Sequence, residues 1–132
     1  MSEAKNVAGA IAERSRQFEQ AYGDADPKAL VEAYFAGDDH KPLASPPGGA
    51  QPVRGREALT AMFAGLFADM PKIELETIEI TASETVASEF GRAILTDVLG
   101  ARHFGRYCVC WVFTEEGWRA KSDVFGADGW RE

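Results

Sequence analysis

Hydrophobic positions along this chain change their period near the middle. Up to Met70 they recur at helical steps; from Lys72 onward they fall in strand-length runs. Val7, Ile11, Phe18 and Tyr22, with Ala4, Ala8 and Ala21 filling in, predict a helix from about Ala4 to Tyr22 that Gly23 and Asp24 stop. Asp26-Pro27 starts a second, short helix, since Asp can cap and Pro suits the first helical position. Leu30, Val31, Tyr34 and Phe35 are its apolar stripe, and Gly37 is expected to end it. Leu59, Met62, Phe63, Leu66 and Phe67 form the strongest helical stripe, in a third helix opening at Arg56 or Glu57 and ending near Met70-Pro71.

Between the second and third helices, Ala36–Gly55 carries Pro42, Pro46, Pro47 and Pro52 together with Gly37, Gly48, Gly49 and Gly55. It reads as an irregular connection or a ragged hairpin. Four segments rich in β-branched and aromatic residues follow: Ile73–Thr81, Thr85–Asp97, Arg102–Thr114 and Trp118–Gly126. Helices followed by a run of strands predict an α+β fold with the helices on one face of an antiparallel sheet. If strongly curved, such a sheet encloses a pocket. In the first strand the apolar phase flips near Glu76-Thr77, which predicts either a β-bulge or a strand whose two ends bury opposite faces. The third strand is apolar on both faces: Gly105, Tyr107, Val109, Trp111 and Phe113 on one, Phe104, Cys108, Cys110 and Val112 on the other with Arg106 among them. One face goes under the helices. The other needs a cover, and a second copy of the chain supplies it most economically, so a homodimer through the sheet is expected.

Composition narrows the class. At 132 residues, 45% hydrophobic and 27% charged, the sequence suits one globular domain over 1–132. A net charge of -7 disfavours nucleic acid and anionic membranes, which both need clustered Lys and Arg. It is compatible with neutral or cationic small molecules. Cys108 and Cys110, two apart in one strand, point the same way and read as free thiols in a reducing compartment. With only two histidines beside them, a zinc set is not expected. Met1–Gln17 has charges throughout and no apolar signal core, and no run approaches the length of a membrane span. A cytoplasmic location is expected.

The order of these elements, and several short motifs, resemble the nuclear-transport-factor-2-like superfamily, in particular its SnoaL-like and ketosteroid-isomerase-like branch. The match is carried by Phe18–Tyr22, Gly23-Asp24 before Leu30-Val31 and Tyr34, Asp38-Asp39, Pro46 through Gly49, and Val53-Arg54-Gly55-Arg56-Glu57-Ala58-Leu59. Trp111-Val112-Phe113, Glu116-Gly117-Trp118-Arg119 and Phe125-Gly126 complete it, so it spans roughly residues 8–126. The resemblance implies a cone of three helices wrapped by a curved sheet, commonly dimeric, with an apolar cavity. Isomerase chemistry in that branch needs a carboxylate base, and a Tyr with a protonated Asp to hold an enolate oxygen. The corresponding positions here are Ser45 or Pro46 for the base, Phe18 for the Tyr and Val109 for the Asp, and none can do the job. Related activities implied are isomerisation, cyclisation, dehydration and epoxide hydrolysis; if this chain is an enzyme, cofactor-free proton transfer is expected.

Phe18, Tyr22, Tyr34, Phe63, Phe67, Tyr107 and Trp111 are the expected lining of such a cavity, and equally good core residues; the ligand they suit is a small apolar molecule. Asp123 is the first candidate acid or base, lying in the last strand with Lys121 and Phe125 expected on the same face. Tyr34 and His40 are the candidate assistants. Asp38, Asp39 and His40 together also suit a solvated turn. Arg92 and Arg106 are expected to pair with acids across a dimer or to bind a ligand carboxylate. A binding or dimerisation module without catalysis is the rival reading.

Overall fold

The computed structural model describes residues 6–46 and 51–126. Helix α1 spans Val7–Gly23, α2 Pro27–Tyr34 and α3 Arg56–Asp69. Strands β1 (Leu43–Ser45), β2 (Val53–Arg54), β3 (Lys72–Ala82), β4 (Val86–Thr96), β5 (Arg102–Thr114) and β6 (Gly117–Gly126) form a single sheet in the order β2-β1-β6-β5-β4-β3. All pairings are antiparallel except β1 with β6. The helices pack on one face, and α1, α2, α3 and the sheet share a continuous apolar core. The expected start of α1 at Ala4 and the turn residues Pro47, Gly48 and Gly49 lie outside the described residues.

The four long strands match the four sequence segments to within a residue or two. The sheet has two more strands than those segments predict, because the Pro/Gly-rich connection resolves into a 3-10 turn (Asp38–His40) and the short hairpin of β1 and β2. Helix α2 stops at Tyr34, ahead of Gly37, because Phe35 is already extended and bridges Ala120 of β6. Asp26 caps α2 by accepting from Ala29 N at 3.1 Å, with Pro27 at the first helical position.

Gly55 precedes helix α3, and its φ of +86° is open to glycine and strained for other residues. The cap of the helix comes from a distance: Asp38 Oδ1 accepts from Arg56 N at 2.8 Å. The Arg56 guanidinium donates to the carbonyls of Ala36 (3.1 Å) and Phe35 (2.7 Å). The Gly-Arg motif thus ties the start of α3 to the end of α2. On the far edge, Glu19 of α1 accepts from Leu75 N of β3 at 2.7 Å, which occupies an edge-strand donor.

Two bulges bend the sheet. One falls at Ile78, between Thr77 and Glu79, and explains the phase flip read near Glu76-Thr77. The second falls in β6, where Ser122 pairs with Cys110 but Ala120 pairs with Trp111, leaving Lys121 as the extra residue. Trp118 and Ala120 face the core before it; Asp123 faces the core after it.

Candidate functional site

The inner face of the sheet is a stack of cross-strand rows. Ala87, Trp111 and Ala120 make one row. Glu89, Val109, Asp123 and Ala44 make the next, across four strands. Gly91, Tyr107 and Phe125 follow, then Ala93 with Gly105, then Leu95 with His103 at the open end. Two acids therefore stand inside an otherwise apolar and aromatic surface.

Glu89 is fully buried and thoroughly hydrogen-bonded. Trp111 Nε1 donates to its Oε1 at 3.0 Å, and Tyr107 Oη (2.9 Å) and Thr77 Oγ1 (2.6 Å) donate to its Oε2. The register accounts for this. Glu89 lies opposite Val109, so Tyr107 and Trp111 are its two diagonal neighbours on β5, within reach of long side chains. Tyr107 reaches Glu89 only because Gly91 is bare: a Cβ there would collide with the Tyr107 ring and come within 2.7 Å of the Glu76 carbonyl oxygen.

Asp123 is the opposite case. Its row neighbours are Val109 and Ala44, both fully buried and apolar. Its Oδ1 is buried and has no hydrogen-bond partner among the described residues. Burial, reinforced by the negative field of Glu89, pushes its carboxyl up to about 7. Tyr34, buried on α2, is edge-on to Trp111 with ring centroids 4.9 Å apart and packs on Phe18 at 4.7 Å. Burial, then the fields of Asp123 and Glu89, hold its phenol well above the ordinary value, so it remains an O–H donor.

Asp123 and Tyr34 line an inner cavity of about 50 Å³ together with Phe18, Phe63, Tyr107 and Phe125 and several aliphatic side chains. A wider outer chamber of about 380 Å³ opens beside it, between α3 and the sheet. Leu66, Ala93, Leu95 and Phe125 are walls of both.

The structure thus brings together Asp123, Tyr34, Phe18, Phe63, Tyr107 and Phe125. It does not bring Tyr22, Phe67, Trp111, Lys121 or His40 to this cavity. Tyr22 spends its hydroxyl on the Met70 carbonyl at 2.6 Å and stacks edge-on with Phe67. Trp111 is fully buried behind Glu89. Lys121 is carried off the Asp123 face by the β6 bulge and donates to the Lys41 carbonyl at 2.8 Å. His40 sits on the 3-10 turn, 3.7 Å from Asp39, beside a surface hollow with Phe113 and Glu116. Asp38 is the α3 cap described above. Arg92 is 3.4 Å from Glu76 of the same chain and lies over the Phe104 ring. His103 bonds Asp97 at 2.9 Å at the chamber rim. Cys108 and Cys110 are free thiols.

Sequence reasoning missed Glu89. A signal existed: Ala87, Glu89, Gly91, Ala93 and Leu95 alternate in one strand, and Glu89 is the single charge in that apolar set. Among the described residues, no group of three or more His, Cys, Asp or Glu side chains is placed to hold a metal ion. No helix among them is long and apolar enough to cross a membrane.

No protein-family model matches the chain, and no curated protein matches it by sequence. Solved structures do match. An NTF-2 like protein of unknown function from Shewanella oneidensis superposes with a TM-score of 0.76 at 15% identity, covering 90% of this chain and 98% of that one. An NTF2-like protein with a cystatin-like fold from Novosphingobium aromaticivorans gives 0.72 at 18% identity, over 93% and 83%. A ketosteroid isomerase-like protein from Erwinia carotovora atroseptica gives 0.68 at 16%, over 91% and 95%. The chain has the NTF2-like, cystatin-like fold.

Proposed function

We propose that the chain binds a small, largely apolar molecule across the inner cavity and the wider chamber beside it, and exchanges a proton with it through Asp123, without a cofactor. Tyr34 assists as a fixed O–H donor. Isomerisation, cyclisation and dehydration of the SnoaL-like kind are reactions of this class. The observation that carries the proposal is the state of Asp123: a buried carboxyl between Val109 and Ala44, with an oxygen that nothing among the described residues satisfies. Such a group costs stability, and perturbed carboxyls of this kind cluster where ligands react. With its proton lost near pH 7, both acid and base forms coexist at neutrality, where proton transfer is most effective. The isomerase machinery itself is not part of the proposal, since Phe18 and Val109 occupy two of its positions as buried apolar residues.

The test is a thermal-shift screen of neutral apolar metabolites against the wild-type chain and Asp123→Asn. A ligand at ~100 times its dissociation constant adds about 2.7 kcal/mol of stability. The expected result is a ligand whose shift vanishes in Asp123→Asn and whose turnover follows the Asp123 titration. A ligand that binds equally well to both chains overturns the role of Asp123. One that needs Asp123 but is never converted favours a binding module.

We also propose a cytoplasmic homodimer through the outer sheet face. What supports it is apolar exposure there: Phe90 at 41% and Val124 at 52%, in one cross-strand row with Cys108. Light scattering at twice the chain mass is expected. A monomer at micromolar concentration removes the dimer.

A further inference from the structure

Cysteine is among the residue types most often buried, yet both cysteines of this chain lie on the outer face of the sheet. Cys108 is exposed, Cys110 is half-buried, and both are free thiols. Val109 between them is fully buried on the inner face. Strands β4 and β5 pair without a register shift, with Phe90 opposite Cys108 and Ser88 opposite Cys110. On the β6 side the partners are Val124 and Ser122. The two thiols therefore stand side by side on one face, in consecutive rows. Neither belongs to the core that the helices and the sheet share. A thiol in that position adds little packing, and what it offers is its chemistry.

Spacing decides which chemistry the pair suits. Two residues along a strand rise roughly 6.8 Å, and same-face Cβ atoms stay about that far apart. A disulfide needs its Cβ atoms about 3.8 Å apart, so the pair cannot close one without distorting the strand. A bridging metal ion spans more. Two sulfur–metal bonds of about 2.3 Å in line hold their sulfurs ~4.6 Å apart. Each Sγ leaning along the strand by roughly 1 Å makes up the difference, and strand side chains do lean that way. Zinc wants four ligands, and among the described residues no group of three or more His, Cys, Asp or Glu side chains is placed to hold an ion. Thiolates select soft ions, and monovalent copper is satisfied by two of them in line. One positive charge on two thiolates leaves a net charge of minus one. Arg92 and Arg106, opposite each other in the next row of the same face, put a positive field beside it.

We infer that Cys108 and Cys110 are a two-sulfur chelate for a monovalent soft cation of the Cu(I) class. The site is separate from the Asp123 cavity, which lies on the other face of the sheet. Binding replaces two S–H bonds by two S–Cu bonds; both protons go to solvent and no electron changes hands. Loading puts a charge where Phe90 and Val124 flank the pair. A charge resists burial, so loading also works against the dimer proposed through this face.

The experiment titrates the full chain, without oxygen, against Cu(I) held by a chromophoric chelator, and reads the colour of the chelator. The wild type is expected to take one Cu(I) per chain. Cys108→Ser and Cys110→Ser are each expected to lose about a hundredfold in affinity or more, since a second donor on the same frame typically adds that much. Circular dichroism checks that the variants fold. Variants that bind as tightly as the wild type mean separate, adventitious thiols and overturn the inference, as does a wild type that takes no copper. A second measurement needs no variant. Diamide treatment followed by intact-mass analysis is expected to leave no disulfide within one chain, and a chain that forms one overturns the spacing argument. Light scattering separates the chelate from the dimer. A dimer that loosens on loading supports both, and a monomer with and without copper removes the dimer while the chelate stands. A dimer that tightens on loading places the ion between two chains and overturns the one-chain chelate.

Discussion

Glu89 and Asp123 stand on one face of the sheet, one strand on either side of Val109. Two strand spacings separate their backbones by roughly 10 Å. Among the described residues Glu89 has three donors and Asp123 Oδ1 has none, so the same kind of group plays two parts. The satisfied acid positions the wall of the cavity. The unsatisfied one is left facing it.

This asymmetry sets how stability depends on pH. The Asp123 carboxyl is raised from 3.8 to about 7 on folding. The folded state therefore holds this proton where the unfolded state has released it, and its contribution to stability falls as pH rises between these values. The gap of about three pH units, at about 1.4 kcal/mol each, bounds the effect on the order of 4 kcal/mol. Asp123→Asn, which cannot ionise, is expected to be more stable than the wild type at pH 8 and to lose that advantage by pH 5. Denaturant melts at the two pH values measure this, and equal differences at both would contradict it.

Glu89→Gln removes the field that helps to raise Asp123. The Asp123 carboxyl is then expected to titrate at lower pH, followed by carbon NMR of the labelled carboxyl. An unmoved titration would mean that burial alone sets it.

Glu89→Ala strands the donors of Thr77, Tyr107 and Trp111 in the interior. A loss of roughly 3 kcal/mol or more is expected, since each orphaned buried donor costs about 1 kcal/mol or above. Urea unfolding gives the value. A change below about 1 kcal/mol would mean that water replaces the carboxyl.

Gly91→Ala places a methyl group where the Tyr107 ring lies. The ring must move and its bond to Glu89 is expected to break, at a cost of about 1–3 kcal/mol. Gly91→Ala combined with Tyr107→Phe should then cost less than the two changes summed. Strict additivity in a double-mutant cycle would argue that the ring and the glycine are independent.

Asp38→Ala removes the cap of α3 without touching the cavity. The expected loss is about 1 kcal/mol, with ligand binding unchanged. A binding defect in this variant would tie the 3-10 turn to the site.

Much of this was open to a reader of the chain. The helical stripes, the four strand segments and the phase flip near Glu76-Thr77 follow from local periodicity, because each residue's face is set by its near neighbours. Asp123 was legible as a polar residue in an apolar strand. What local pattern could not supply was position across strands. Lys121 was expected beside Asp123 by simple alternation, and one extra residue in β6 turned it away. Trp111 and Tyr22 were expected in the cavity by type, and hydrogen bonds to Glu89 and to the Met70 carbonyl drew them elsewhere.

By itself, then, the amino-acid order determined which segments are helix and which are strand, and which faces are apolar, since these depend on steric and hydrophobic preferences a few residues apart. Only the tertiary structure decided that Glu89, Val109, Asp123 and Ala44 share a row, and that Thr77, Tyr107 and Trp111 all donate to Glu89. That depends on strand register and bulges, in which residues from Ala44 to Asp123 meet through pairings that no stretch of sequence contains.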